Sequence, residues 1–325
     1  MENIIKAGRG FFAICLVGLA GQQFYYGDFR PVFVPAWPSP MPGQIVLVWL
    51  FSLFLIGSAI ALVAEKMART AMLVLAWLFL ALVLFCHIPF HLVHDPNAGN
   101  IGAWNNAFKE LCFSGSALIM AGSFPPEAMS PKRAALEKPL EGLIPFGTVF
   151  FSVMLIVFGI EHFLYAEFVQ GLVPDWIPAH LFWTYFAAVA LVGAGVGIIL
   201  RIKLKQIAML TGIMIFIWFL ILHIPRAAAA PVTDQGNELT SVWESLGFSG
   251  VAFVLACAFP FRPRLSALNG PLPAAFPGAP VEARLMKHAH PFDLNIRRSE
   301  KIVHDRIEII FFINSHKMPR PRHQP

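Results

Sequence analysis

"GTVFFSVMLIVFGIEHFLYAEFVQGLVPDW", residues 147–176, is an apolar run long enough for a helix, ending in charge and closed by a V-P-x-W step. The same shape stands at 8–37 as "GRGFFAICLVGLAGQQFYYGDFRPVFVPAW". At an offset of 139 residues, Gly8 falls on Gly147, Phe11-Phe12 on Phe150-Phe151, Tyr26 on Tyr165, and "VFVPAW" (32–37) on "GLVPDW" (171–176). After a short length change the order continues. Gly57 meets Gly193, "HIP" at 87–89 meets "HIP" at 223–225, "FSG" at 113–115 meets "FSG" at 248–250, and Phe124-Pro125 meet Phe259-Pro260. Matches that keep their order over so long a stretch mark an internal duplication. The chain reads as two copies of a four-helix unit, 1–125 and 144–260, joined by a charged linker at 126–143.

Composition sets the solvent of that unit. Of the 325 residues, 57% are hydrophobic and 13% charged, and the mean hydropathy is +0.65. Soluble domains carry about 25% charged residues, so the pattern is that of a membrane protein. Runs of about 20 apolar residues can cross the hydrocarbon core. Eight are expected, near 7–26, 44–64, 70–91, 104–124, 144–166, 179–200, 205–225 and 240–259. The first resembles a signal peptide, but its twin is internal, so both read as mature helices. Lys6, Arg9, Lys66, Arg69, Lys132, Arg133, Lys138, Arg201, Lys203 and Lys205 all fall on one side. The positive-inside rule then places both termini in the cytoplasm, in a bacterial inner or plasma membrane. Even-numbered units enter and leave on the same side, so the copies are parallel repeats.

Of the 24 Lys and Arg residues, 11 lie after Phe261. The tail 261–325 is basic and Pro-rich and reads as a largely disordered cytoplasmic anchor for anionic lipid; no nucleic-acid partner is expected. Cys15, Cys86, Cys112 and Cys257 stand singly without a CxxC, which indicates neither a disulfide framework nor a zinc site. "GAGVG" (193–197) sits mid-helix with no strand before it, so it reads as a packing face, Gly193 with Gly197, echoed by Gly57 with Ala61.

Ionisable residues in or near a span are expensive and mark sites. They gather at the outer end: Gln22, Gln23 and Asp28; His87, His91, His94 and Asp95; Asn105, Asn106, Lys109 and Glu110; Glu161, His162 and Glu167; Asp175 and His180; His223 and Arg226; Glu238 and Glu244. One turn separates Glu161 from Tyr165, and Gln22 from Tyr26, a spacing that lets each pair share a hydrogen bond. His162 points elsewhere, toward the loop of Trp176 or His180. Four readings stay open. The polar groups cap helices under an aromatic belt. Alternatively, His and Tyr donors under an aromatic lid hold a quinone head, which has an apolar tail and two carbonyls. A third reading is a metal site on Glu161, His162, His180 and His223. The fourth is haem ligation by His87 and His223, although the Ile-Pro after each marks a helix end or bend.

"FGIEHFLYAEFVQGLVPDWIPAH", followed by a helix with "GAGVG", a basic turn "RIKLK" and a helix ending in histidine, resembles the DoxX-like membrane proteins. The resemblance covers 144–260; at 8–125 it is weaker, since Gln22-Gln23 replace Glu-His. It implies a fused pair of units that are usually single, and a component of a quinone-linked redox system with a redox partner subunit. Glu161, His162, Trp176 and His180 are carried over as motif positions. The expected site therefore has Glu161, His162, Tyr165 and His223 in the chemistry, and Trp176, His180, Arg226 and His87 around a quinone. An assembly partner and a small-solute transporter are the competing functions.

Overall fold

The computed structural model describes residues 1–37, 42–124 and 131–258, with side chains in the last stretch from 135 onward. The expected tail, the matched Phe259-Pro260 and the start of the linker lie outside the described residues. Every regular element among the described residues is helical. Helix α1 is Glu2–Tyr26, α2 Gln44–Ala64, α3 Ala68–Val93, α4 Asn105–Gly122 and α5 Pro131–Leu140. Then follow α6 Gly147–Leu164, the short α7 Ala166–Gln170, α8 His180–Ile199, α9 Leu204–Ala229 and α10 Asn237–Ala258. Among the described residues seven helices are long and apolar enough to cross a membrane. Helix α4 is not among them: it has 18 residues, bears Lys109 and Glu110, and lies largely buried among the others.

Helices α3 and α9 run past the His-Ile-Pro steps instead of ending there. In each, a π turn precedes the proline, Val83–His87 in α3 and Phe219–His223 in α9. The Ile88 amide bonds back to the Val83 carbonyl, and the Ile224 amide to that of Phe219, five residues earlier. Proline has no N–H and clashes with the preceding turn; the wider turn absorbs that misfit and lets the helix continue. The expected ends near 91 and 225 therefore move to Val93 and Ala229.

The long helices pack in a closed circuit: α1 on α2, α2 on α3, α3 on α4, α4 on α6, α6 on α8, α8 on α9, α9 on α10, and α10 back on α1. Helices α4 and α10 also meet across the middle. Two crossings bring backbones together. A Cβ added at Gly8 would stand 2.4 Å from the Gly250 carbonyl oxygen, and one added at Gly250 would stand 2.5 Å from that of Gly8. The pair Gly115 and Gly147 repeats this, at 2.7 and 3.1 Å. Between the crossings runs an aromatic file, Phe12 to Phe113 at 6.3 Å, Phe113 to Phe248 at 4.9 Å, and Phe248 to Phe151 at 6.4 Å.

These contacts correct the expected packing faces. Gly193 and Gly57 face open space, whereas Gly197 is a close approach, a Cβ there standing 2.5 Å from Ile207 of α9. The close α6–α8 approach instead uses Gly159, against Ala188 and Val192, and Gly195, against Ser152 and Ile156. Small residues matter where a neighbouring backbone arrives, and the spacing in one helix does not say which face that is.

At the end of the bundle near Met1, the basic residues are part of the structure. Arg9 bonds Glu65 at 2.8 Å and the Ser123 carbonyl at 2.8 Å, and its guanidinium lies 3.6 Å over the Phe124 ring. Arg69 pairs with Glu137 at 3.3 Å and Glu141 at 2.8 Å. The Thr70 hydroxyl also bonds Glu137, and Trp77 donates to the Leu140 carbonyl at 3.1 Å. The linker thus straps α5 to α3.

The crossings and the empty face give opposite expectations. Gly8→Ala pushes a methyl into the Gly250 backbone and should cost about 1–3 kcal/mol. Gly193→Ala should be neutral or stabilising by up to about 1 kcal/mol, since alanine is the better helix former. Reversible unfolding of each variant in detergent measures the difference.

Candidate functional site

The polar residues collect at the end of the bundle opposite Met1, and they do so differently in its two halves. In the second half α6, α8, α9 and α10 enclose a cavity of about 300 Å³. Its walls are mostly apolar, with Leu155, Phe158, Leu172, Ala187, Ile215 and Phe248 among them. Polar groups also line it: His162, Thr184, His223, Ser241, Glu244, Ser245 and, from α4, Lys109. Lys109 Nζ lies 2.8 Å from Glu244 Oε2, and both side chains are largely buried. These two residues share one register: "FSG" at 113–115 follows Lys109 just as "FSG" at 248–250 follows Glu244. The central α4–α10 contact thus ends in an ion pair between corresponding positions.

The expected site residues divide. His162 and His223 line the cavity together. His162 Nδ1 donates to the Phe158 carbonyl at 2.6 Å, which fixes the ring; His223, at the end of its π turn, has no hydrogen-bond partner among the described residues. Glu161 is buried beside Asn105 and Lys109, and its Oε1 lacks a partner among the described residues. The side-chain hydrogen bond between Glu161 and Tyr165 is absent, although the Tyr165 amide still donates to the Glu161 carbonyl at 2.8 Å. Helix α6 stops at Leu164, Tyr165 leaves helical geometry at φ −117° and ψ 37°, and its hydroxyl donates instead to Asn100 Oδ1 at 2.5 Å. Gln22 likewise turns from Tyr26, donating to the Gly236 carbonyl at 2.9 Å and accepting from the Thr240 hydroxyl at 3.1 Å.

The other four candidates stand apart from the cavity. Trp176 is 70% exposed and lines a separate apolar groove of about 720 Å³ along α8 and α9. His180 starts α8 and lines neither space. Arg226 is held by Glu238, with Nε 3.0 Å from Oε2. His87 belongs to the first half, where its Nε2 donates to the Val32 carbonyl at 3.1 Å. Among the described residues no three His, Cys, Asp or Glu side chains converge as metal ligands, so Glu161, His162, His180 and His223 do not form one set. Lys109 and Glu244 were legible as charges near spans. Their meeting was not, because it joins helices far apart in the chain.

The corresponding region of the first half is filled. Phe33 is fully buried, stacked on Phe79 at 5.5 Å with 1° between planes, and it also meets Phe51 at 5.1 Å and Phe113 at 5.7 Å. Arg30 is 1% exposed, donates from Nε to Thr240 at 3.2 Å and stands 5.3 Å over the Tyr26 ring. Burial pulls the Arg30 guanidinium below its ordinary pKa. Gln23 donates to the Ser52 hydroxyl at 2.9 Å. Outside the long helices, Asp95 accepts from the Asn97 amide and pairs with His91 at 2.7 Å. These partners, the amide first, hold its carboxyl below the usual 3.8.

Two outcomes follow from these charges. Removing one partner of a buried ion pair strands the other, so Lys109→Met should cost roughly 3–5 kcal/mol, and Lys109→Met with Glu244→Met should recover most of it. A double-mutant cycle in detergent unfolding reads this coupling. Asp95 has the lower pKa in the folded state, so its contribution is present above the ordinary value and lost as pH falls through the folded one. Asp95→Asn should lower stability at neutral pH, where the contribution is fully present, and flatten the stability profile below about pH 4, where the wild type loses it.

Compared with known proteins, residues 151–259 match a family model described as "Domain of unknown function (DUF8561)". No curated protein matches the chain, and no solved structure does. The matched stretch contains nearly all of the cavity's walls, with Lys109 the exception.

Proposed function

We propose that this chain is a tandem duplication of a four-helix unit, with eight transmembrane helices and both termini in the cytoplasm of a bacterial inner membrane. Its function is to bind a quinone at the outer end of its second half, as a component of a membrane redox system. The observation that carries this reading is the adjacency of two spaces. The inner cavity, with its polar groups, and the apolar groove along α8 and α9 share Trp183, Met214 and Trp218 as walls. Both fall in the range of small-molecule sites, about 300–1,000 Å³. A molecule with a compact polar-edged head and an apolar chain fits that pair of spaces, the head inside and the chain along the groove.

The side chains present suit a quinone head. His223 has no partner among the described residues, and Glu244 Oε1 is buried without one. Two carbonyl oxygens entering the cavity would accept from His223 and from Lys109, which stays anchored by Glu244. The quinone supplies the electron chemistry when bound; the chain orients the ring, excludes water with its apolar walls and presents donors to the oxygens. The duplication is supported by the paired crossings Gly8–Gly250 and Gly115–Gly147 and by the two π turns before His-Ile-Pro. Orientation rests on the basic residues at the Met1 end.

Titration of the purified protein with a decyl-substituted 1,4-benzoquinone, read by tryptophan fluorescence, tests the binding. Saturable quenching is expected, with Trp183→Leu reducing it, together with quinone in solvent extracts of the protein as isolated. No extracted quinone and no saturable quenching would sink the reading. A stoichiometric protein partner co-purifying in that case would favour the assembly role, docked on exposed outer residues such as Phe168 and Trp176.

A further inference from the structure

Resting on the reading of the inner cavity as a ligand site, we infer that residues 30–33 of the first half are a built-in occupant of the corresponding space, and that they define the pose of the ligand in the second half. That ligand places a planar ring against Phe248 and a hydrogen-bond acceptor on His223.

The argument compares corresponding positions. In the first half the space is filled by four large side chains, Arg30, Phe33, Phe51 and Phe79. At the offsets that superpose the two sequence copies, these become Val169, Leu172, Ala187 and Ile215. All four of the smaller residues line the cavity. The cavity is therefore the volume that those truncations vacate, and what packs there in the first half is a template for what packs there in the second.

Two fixed features of the template survive. Phe113, whose ring lies 5.7 Å from that of Phe33, corresponds to Phe248, which lines the cavity. His87 corresponds to His223, and both close a π turn that aims them at the space. What is lost is the chain's own acceptor. The Val32 carbonyl satisfies His87 at 3.1 Å, and Val32 is 1% exposed. Its counterpart Gly171 is exposed, because the extra helical turn α7 carries the second loop outward. His223 is left without a partner among the described residues.

A ligand that repeats the first half's arrangement supplies both missing parts from one rigid group. Its ring takes the place of Phe33, offset or edge-on to Phe248 at a centroid distance of about 4.5–7 Å. A carbonyl next to that ring takes the place of the Val32 oxygen and accepts from His223. A quinone ring carries its carbonyl on the ring itself and meets both conditions; a bare acyl chain or an aliphatic alcohol offers an acceptor but no ring.

Leu172→Phe restores the ring of the first half. It should fill the cavity, raise the thermal midpoint in detergent or leave it unchanged, and weaken binding of decyl-benzoquinone by at least roughly tenfold. His223→Ala alters only the wall and should weaken that binding by roughly fivefold to tenfold, the worth of one hydrogen bond. It should leave the weaker binding of decylbenzene, which has ring and tail but no acceptor, unchanged. If wild-type protein binds decyl-benzoquinone and both variants bind it equally well, the pose is overturned while the quinone-binding reading stands. Should Leu172→Phe fail to fold, the His223→Ala comparison of the two probes decides alone. Equal losses for both probes would overturn the acceptor assignment. Absence of wild-type binding overturns the reading of the site, and the pose with it.

Discussion

Backbone contact at two glycine crossings is the constraint on which the rest of this molecule depends. Where Gly8 meets Gly250, and where Gly115 meets Gly147, any side chain larger than hydrogen would collide with a carbonyl. In an apolar solvent there is little hydrophobic force between helices, so such close van der Waals packing is a main source of association. The crossings join α1 to α10 and α4 to α6, so each half lends a helix to the other. This interlock brings α4 and α10 together in the middle, aligns Phe113 on Phe248, and lets Lys109 reach Glu244.

That central pair also shows how polar groups are accommodated at depth. A buried charge is costly unless paired, and the bundle supplies partners across helices for several of those it buries: Lys109 with Glu244, Arg69 with Glu137 and Glu141, Arg9 with Glu65. Glu110 departs from this pattern, being wholly buried with neither carboxylate oxygen partnered among the described residues. The structure offers no account of it.

The two halves differ by volume more than by topology. Large aromatic and guanidinium side chains close the outer end of the first half, and smaller ones leave the second open. The polar exchange of Gln22-Gln23 for Glu161-His162 is only part of that difference. Gln23 is satisfied by Ser52, whose counterpart is Ala188 with no polar side chain, whereas His162 turns back to its own helix at Phe158. Substitutions that look unrelated along the chain thus serve one cavity.

The sequence by itself determined the solvent and the helical class, because hydropathy is a property of the chain read in one dimension; its ordered matches are what the proposed repeat rests on. It also singled out His162 and His223, since a histidine near an apolar span is costly wherever it packs. Four things were decided only by tertiary structure. The Tyr165 hydroxyl turned to Asn100 and not to the Glu161 side chain, because Tyr165 leaves helical geometry just past the end of α6. Gly193 gave way to Gly159 and Gly195, because only a neighbour's position tells which face is approached. The prolines extended α3 and α9 through π turns where a break was expected. Lys109 joined the site because it comes from the other half, 135 residues from its partner Glu244. Periodicity fixes what a helix exposes; only packing decides what meets it.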